Sequence, residues 1–90
     1  MKLKFFATYR DITGIKELDI PAPSTAMELL LKLSKLYGAA MRDKLFTKDG
    51  SISDDVILLV NGRNIAHING AETPLCDDDT VSLFPMVAGG

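Results

Sequence analysis

One cysteine, one histidine and no apolar stretch approaching the ~20 residues of a membrane span: the 90-residue sequence is short of the usual raw materials of a site. Cys76 alone can close no internal disulfide and build no Cys-rich zinc site, which fits a reducing compartment. His67 has no Cys, His or Glu at ligand spacing, so no metal is expected and an exposed or loosely packed imidazole is. The chain lacks a Gly-x-Ser-x-Gly elbow and a Walker loop. An EF-hand read around Gly50 fails because Leu45 and Thr47 stand where oxygen ligands are needed, and Asp77-Asp78-Asp79 reads better as an acidic turn. Cys76 has no base or resolving thiol beside it in sequence and is expected as a small, partly buried hydrophobe.

A basic excess is also missing. Net charge is −2, with 8 basic and 5 acidic residues in positions 1–45 against 2 and 7 in 46–90. A phosphate backbone needs a dominant basic face, so nucleic acid is not an expected partner. The N-terminal apolar run breaks too soon for a signal peptide, and a cytoplasmic protein with no membrane partner is expected.

What is present suits one small domain. A composition of 47% hydrophobic and 24% charged residues is too apolar for disorder. A chain of this mass buries about 64% of its surface on folding, enough to stand without staples. Residues 2 to 9 alternate, which predicts a strand with Leu3, Phe5 and Ala7 inward. After a loop at 10–14, Lys16 to Ile20 alternates again and completes a hairpin before Pro21 and Pro23. Thr25 and Glu28 form a capping box, opening a helix to Tyr37 that Gly38 stops. Its inner stripe is Ala26, Leu29, Leu30, Leu33, Leu36 and Tyr37, with Glu28 and Lys32 paired outside.

Ala39 to Leu45 adds a short helical segment. Val56 to Val60 is an apolar run expected to be covered on both faces, and Asn61-Gly62 suits a type I′ turn into a short strand at 63–65. Thr80 to Phe84 is the last strand. Two strands, one long helix and further strands make an α+β mixed sheet with the helix on one face, the order of a β-grasp or ubiquitin-like roll. Residues 1–84 are assigned to that domain and 85–90 to an extended tail.

The tail is where chemistry can sit. Pro85 lacks an N–H and fixes φ, so it is expected to stop the last strand. The five residues beyond it reach roughly 16 Å when extended. Val87 and Ala88 offer shallow apolar contacts, and Gly89 and Gly90, with no Cβ, allow a narrow channel to close on bare backbone. Two final glycines are weak evidence in a chain with 7 of them; the strand running into the tail adds weight. The Gly90 α-carboxylate, with a reference pKa of about 3.5, is an anion and a poor electrophile until activated. Adenylation would make its carbonyl attackable, and another protein must do this because the chain has no nucleotide-binding loop.

Lys4-Phe5-Phe6-Ala7, the capped leucine helix, Leu59-Val60-Asn61-Gly62-Arg63-Asn64-Ile65, Leu83-Phe84-Pro85 and Val87-Ala88-Gly89-Gly90 together resemble the ubiquitin-like MoaD-ThiS family, which includes the sulfur-carrier subunit of molybdopterin synthase and the small archaeal modifier proteins. The resemblance implies that Gly90 is adenylated by a ubiquitin-activating-type enzyme using ATP and Mg, becomes a thiocarboxylate, and is inserted into the large synthase subunit to give sulfur to a pterin precursor. It implies a non-catalytic chain with no cofactor of its own. Met86 departs from the family pattern, which has a second proline there, so the tail is less preorganised. The thiamine-thiazole carrier is similar, but Phe84-Pro85 favours the molybdopterin side. Conjugation of Gly90 to lysines of other proteins uses the same activated tail and stays open. Parity places Phe6 and Phe84, with Leu59 and Met86, on the open side of the sheet as an apolar docking patch.

Overall fold

The computed structural model describes residues 1–86. Five strands form one mixed sheet: β1 (Lys2–Phe5), β2 (Glu17–Asp19), β3 (Val56–Val60), β4 (Arg63–Asn64) and β5 (Thr80–Pro85), in the spatial order β2-β1-β5-β3-β4. The two ends of the described chain meet in the middle, where β1 and β5 run parallel with Leu3 opposite Val81 and Phe5 opposite Leu83. β2 pairs antiparallel with β1, and β3 antiparallel with β5. Parity along each strand sends Leu3, Phe5, Leu58, Val60, Val81 and Leu83 to one face, where all six are buried.

Three helices accompany the sheet: α1 (Thr8–Thr13), α2 (Ala26–Tyr37) and α3 (Ala39–Leu45). Ala26, Leu29, Leu30 and Leu33 of α2, with Met41 and Leu45 of α3, join the inward strand residues in one core. The α2 start is set by Thr25, whose hydroxyl accepts from the Glu28 N–H at 3.3 Å. The reciprocal half of the box is shifted by one residue, since the Glu28 carboxylate accepts from the Ser24 N–H. That contact leaves Lys32 without the expected ion pair: among the described residues the pairs within 4 Å are the Met1 ammonium with Asp19 and Lys2 with Glu17.

Several expectations change. The first strand ends at Phe5 rather than Tyr9, because the Tyr9 N–H turns back to the Phe6 carbonyl and Ala7 takes a positive φ of 52°. Ala7 is therefore exposed, and α1 buries Tyr9 and packs Ile12 on the core at i,i+3 spacing. The hairpin of β1 and β2 is thus joined by a helix, and α1 adds to the long helix and the short Ala39–Leu45 segment that the sequence predicts. Leu36 is 56% exposed, outside the stripe, and Cys76 is exposed rather than partly buried. Of the Val56 to Val60 run only Leu58 and Val60 are buried, so the opposite face is open. Asn61 and Gly62 both have positive φ, as a type I′ turn demands.

Pro85 is the last residue of β5, opposite Val56, rather than the residue that ends it. Leu83 directs its carbonyl to Phe6 of the neighbouring chain segment and Met86 its N–H to Asp55, at 2.7 Å. Alternation then points the missing N–H of Pro85 to the β1 side, past the end of β1, where no ladder bond is lost. None of the described helices is long and apolar enough to cross a membrane.

Candidate functional site

The open face of the sheet is built from the residues whose parity is opposite to the core. Phe6 follows β1 and Phe84 lies on β5, and because Phe5 pairs with Leu83 the next residues along come side by side. Their rings stack with centroids 4.3 Å apart and planes 9° from parallel. An offset pair of this kind contributes about 0.5–1.5 kcal/mol beyond its buried area, so each ring holds the other in place. Both are half-buried.

The stack has a defined surround. The Arg10 guanidinium lies 6.0 Å from the Phe6 ring centroid, while its Nε donates to the Phe5 carbonyl at 3.5 Å. Ile57 sits opposite Phe84 on β3, and the next row places Lys4, Ser82 and Leu59 together. The result is an apolar strip of Phe6, Phe84, Ile57 and Leu59 with the cations Lys4 and Arg10 at one end. Met86 is 54% exposed and lines, with Ile57, Val56, Ile52 and Ile65, a groove of about 550 Å³ at the end of β5.

Phe6, Leu59, Phe84, Pro85 and Met86 thus fall on or beside one surface. Ile57 belongs with them and was masked in the sequence by an unbroken apolar run; the signal was its odd-even relation to Leu58. Val87, Ala88, Gly89 and Gly90 lie outside the described residues. Among the described residues, no group of three or more His, Cys, Asp or Glu side chains comes together as a metal cluster. His67 is exposed on a short 3-10 turn. Asp79 serves the structure, accepting from the Cys76 N–H and from the Asn61 side chain, both at 2.8 Å.

Residues 3–90 match the ThiS family model. The chain belongs to the ThiS family. Small archaeal modifier protein 3 of Haloferax volcanii is 39% identical over 93 aligned residues, covering 100% of this chain and 98% of that one. A protein of Archaeoglobus fulgidus named provisionally as a sulfur carrier is 37% identical over 75 residues, 82% of this chain and 84% of its own. The solution structure of small archaeal modifier protein 1 from Methanosarcina acetivorans superposes with a TM-score of 0.87 at 33% identity, covering 99% of this chain and 94% of that one. The β-grasp, ubiquitin-like architecture is therefore that of the family, and this ThiS-family chain sits among small modifiers and sulfur carriers.

Proposed function

We propose that this ThiS-family chain is a sulfur-carrier cosubstrate whose reactive group is the Gly90 α-carboxylate, with no catalytic residue of its own. The observation that carries the reading is the Phe6-Phe84 stack, a rigid aromatic surface one residue before Pro85. An enzyme that grips that surface has the chain end within reach of its active site. Stacked half-buried rings have little rotamer entropy left to lose on binding, which is how an interface anchor gains affinity. Lys4 and Arg10 at the strip's end call for carboxylates on the partner.

The chemistry balances with groups named by class. The carboxylate oxygen attacks the α-phosphorus of Mg-bound ATP held by a ubiquitin-activating-type enzyme, and pyrophosphate leaves. Sulfide then attacks the Gly90 carbonyl of the acyl-adenylate, the C–O bond to the phosphate breaks and AMP leaves, giving a thiocarboxylate. The recipient is the large subunit of molybdopterin synthase, where the sulfur passes to a pterin precursor. Attack by a lysine amine in place of sulfur gives an isopeptide bond, and the naming of two similar proteins as modifiers favours that as the second reading.

Intact-mass measurement after incubation with the activating enzyme, Mg-ATP and a sulfur donor separates the two. Replacement of one oxygen by sulfur at Gly90 supports the carrier; Gly-Gly remnants on target lysines support the modifier. Neither product overturns both. Removal of Gly89 and Gly90 is expected to abolish product formation and to leave the melting temperature essentially unchanged, because among the described residues the core ends at Leu83. Product from the shortened chain would place the reactive group elsewhere.

A further inference from the structure

The helical layer, on the side of the sheet away from the Phe6-Phe84 stack, carries a second surface that the carrier chemistry does not use. Between α2, α3 and the loop that follows lies an open trough of about 600 Å³. Leu31 forms part of its wall and is 54% exposed, an unusual placement for a leucine in a helix whose apolar stripe faces the core. Phe46 stands beside it, packed against the core from the other side. Arg42 and Lys48 line the trough, and Lys32 and Lys35 line an adjoining hollow that shares Leu31, Ser34 and Arg42 with it.

The charges on this surface are not used up internally. No carboxylate of the described residues lies within 4 Å of these four cations. Glu28 beside the trough and Asp49, next to Lys48 in sequence, are engaged elsewhere, and Asp43 on the rim pairs with none of the four cations. Glu28 accepts from the Ser24 N–H, and Asp49 accepts from the Thr47 hydroxyl and from the Ser51 N–H at 3.1 Å. Those hydrogen bonds hold the Asp49 carboxyl below the usual carboxylate range, led by the Thr47 contact. A chain with net charge −2 thus presents, on its helical side, an apolar centre bordered by four unpaired cations and by the carboxylates of Asp43 and Glu28.

We infer that this trough is a protein-docking site for an acidic peptide segment bearing an apolar anchor, distinct from the face beside the C-terminal segment. The anchor fills the space over Leu31 and Phe46, and flanking carboxylates meet Arg42, Lys48, Lys32 and Lys35. Phosphate polymers fit less well. Asp43 and Glu28 also border it, and Leu31 and Phe46 gain nothing from a phosphate backbone, whereas a peptide can set its carboxylates against the four cations and its apolar side chains over Leu31. Because the two surfaces lie on opposite sides of the molecule, a partner held here leaves the open sheet face free for the activating enzyme.

The test is an amide chemical-shift titration of the full chain with a synthetic peptide holding a central Leu-Phe pair between runs of glutamate. Shifts at Leu31, Ser34, Arg42 and Phe46, absent at Phe6 and Phe84, are expected. Reversing charge with Arg42→Glu and Lys48→Glu should weaken binding about tenfold, and so should raised salt. Leu31→Ala, which keeps every charge, should weaken it several-fold, and unchanged far-ultraviolet dichroism of each variant separates lost binding from lost fold. A lysine-flanked peptide binding equally, shifts at the Phe6-Phe84 face, or no shifts at millimolar peptide would overturn the inference. So would oligouridylate or phosphatidylglycerol vesicles perturbing the same amides at lower concentration.

Discussion

At φ 52° and ψ −124°, Ala7 holds a conformation that its Cβ disfavours and that a type II′ turn gives to glycine. The turn it makes puts Phe6 on the open face while Tyr9, three residues on, enters the core. Ala7→Gly is expected to stabilise the fold by about 1 kcal/mol, relief of strain outweighing the added unfolded-state entropy. Denaturant melts would show it, and a loss of stability would mean that the Ala7 methyl makes a compensating contact. Tyr9 gives a second handle. Its phenol is pushed up to about 12, first by burial and then by the Asp55 charge, against 10.0 for the free group. The unfolded chain therefore loses this proton first as pH rises. Stability contributed by the neutral phenol is complete below pH 10.0 and falls between 10.0 and about 12, by about 1.4 kcal/mol per pH unit. Tyr9→Phe should flatten that slope in alkaline melts; an identical slope would assign it to other groups.

At the scale of elements, α2 carries its instructions openly and β1 does not. Thr25, the leucine spacing and Gly38 fix where the helix starts, which side it buries and where it stops, and all three are local signals. Thr25→Ala should cost about 1 kcal/mol by leaving the Glu28 N–H without its acceptor, measurable as a shifted denaturation midpoint at constant slope. A loss below a few tenths would mean that water or Ser24 takes over the cap. The end of β1 was not legible because Ala7 and Tyr9 continue the alternation in sequence after the backbone has already turned. Gly14, left-handed at the end of α1, was the one available sign of a helix there. The Glu28-Lys32 pair was read from spacing alone, and the carboxylate finds a backbone N–H instead. For the site, parity places Phe6, Leu59 and Phe84 on one face and could have added Ile57, but stacking and the Arg10 contact depend on inter-strand register and the turn at Ala7, which alternation does not encode.

The molecule as a whole divides into a sheet face that is sealed by helices and one that is open. Phe84→Ala removes an anchor from the open side without touching the core. Affinity for the proposed activating enzyme should fall at least tenfold, on the scale of an interface hot spot, while stability falls by about 1–3 kcal/mol, the stack plus the buried part of the ring. Calorimetric titration beside a thermal melt checks both; unchanged affinity with a large stability loss would reassign Phe84 to the core. The position of β5 has a further effect, on how the protein is made. It is the last described element to leave the ribosome, yet it occupies the centre of the sheet and supplies partners to both β1 and β3. No earlier fragment can close the sheet, so folding waits for long-range pairing near the chain end. A product cut short before Thr80 would stay unfolded and open to proteolysis. Synthesis thus proofreads itself: only a chain complete through β5 can close the sheet.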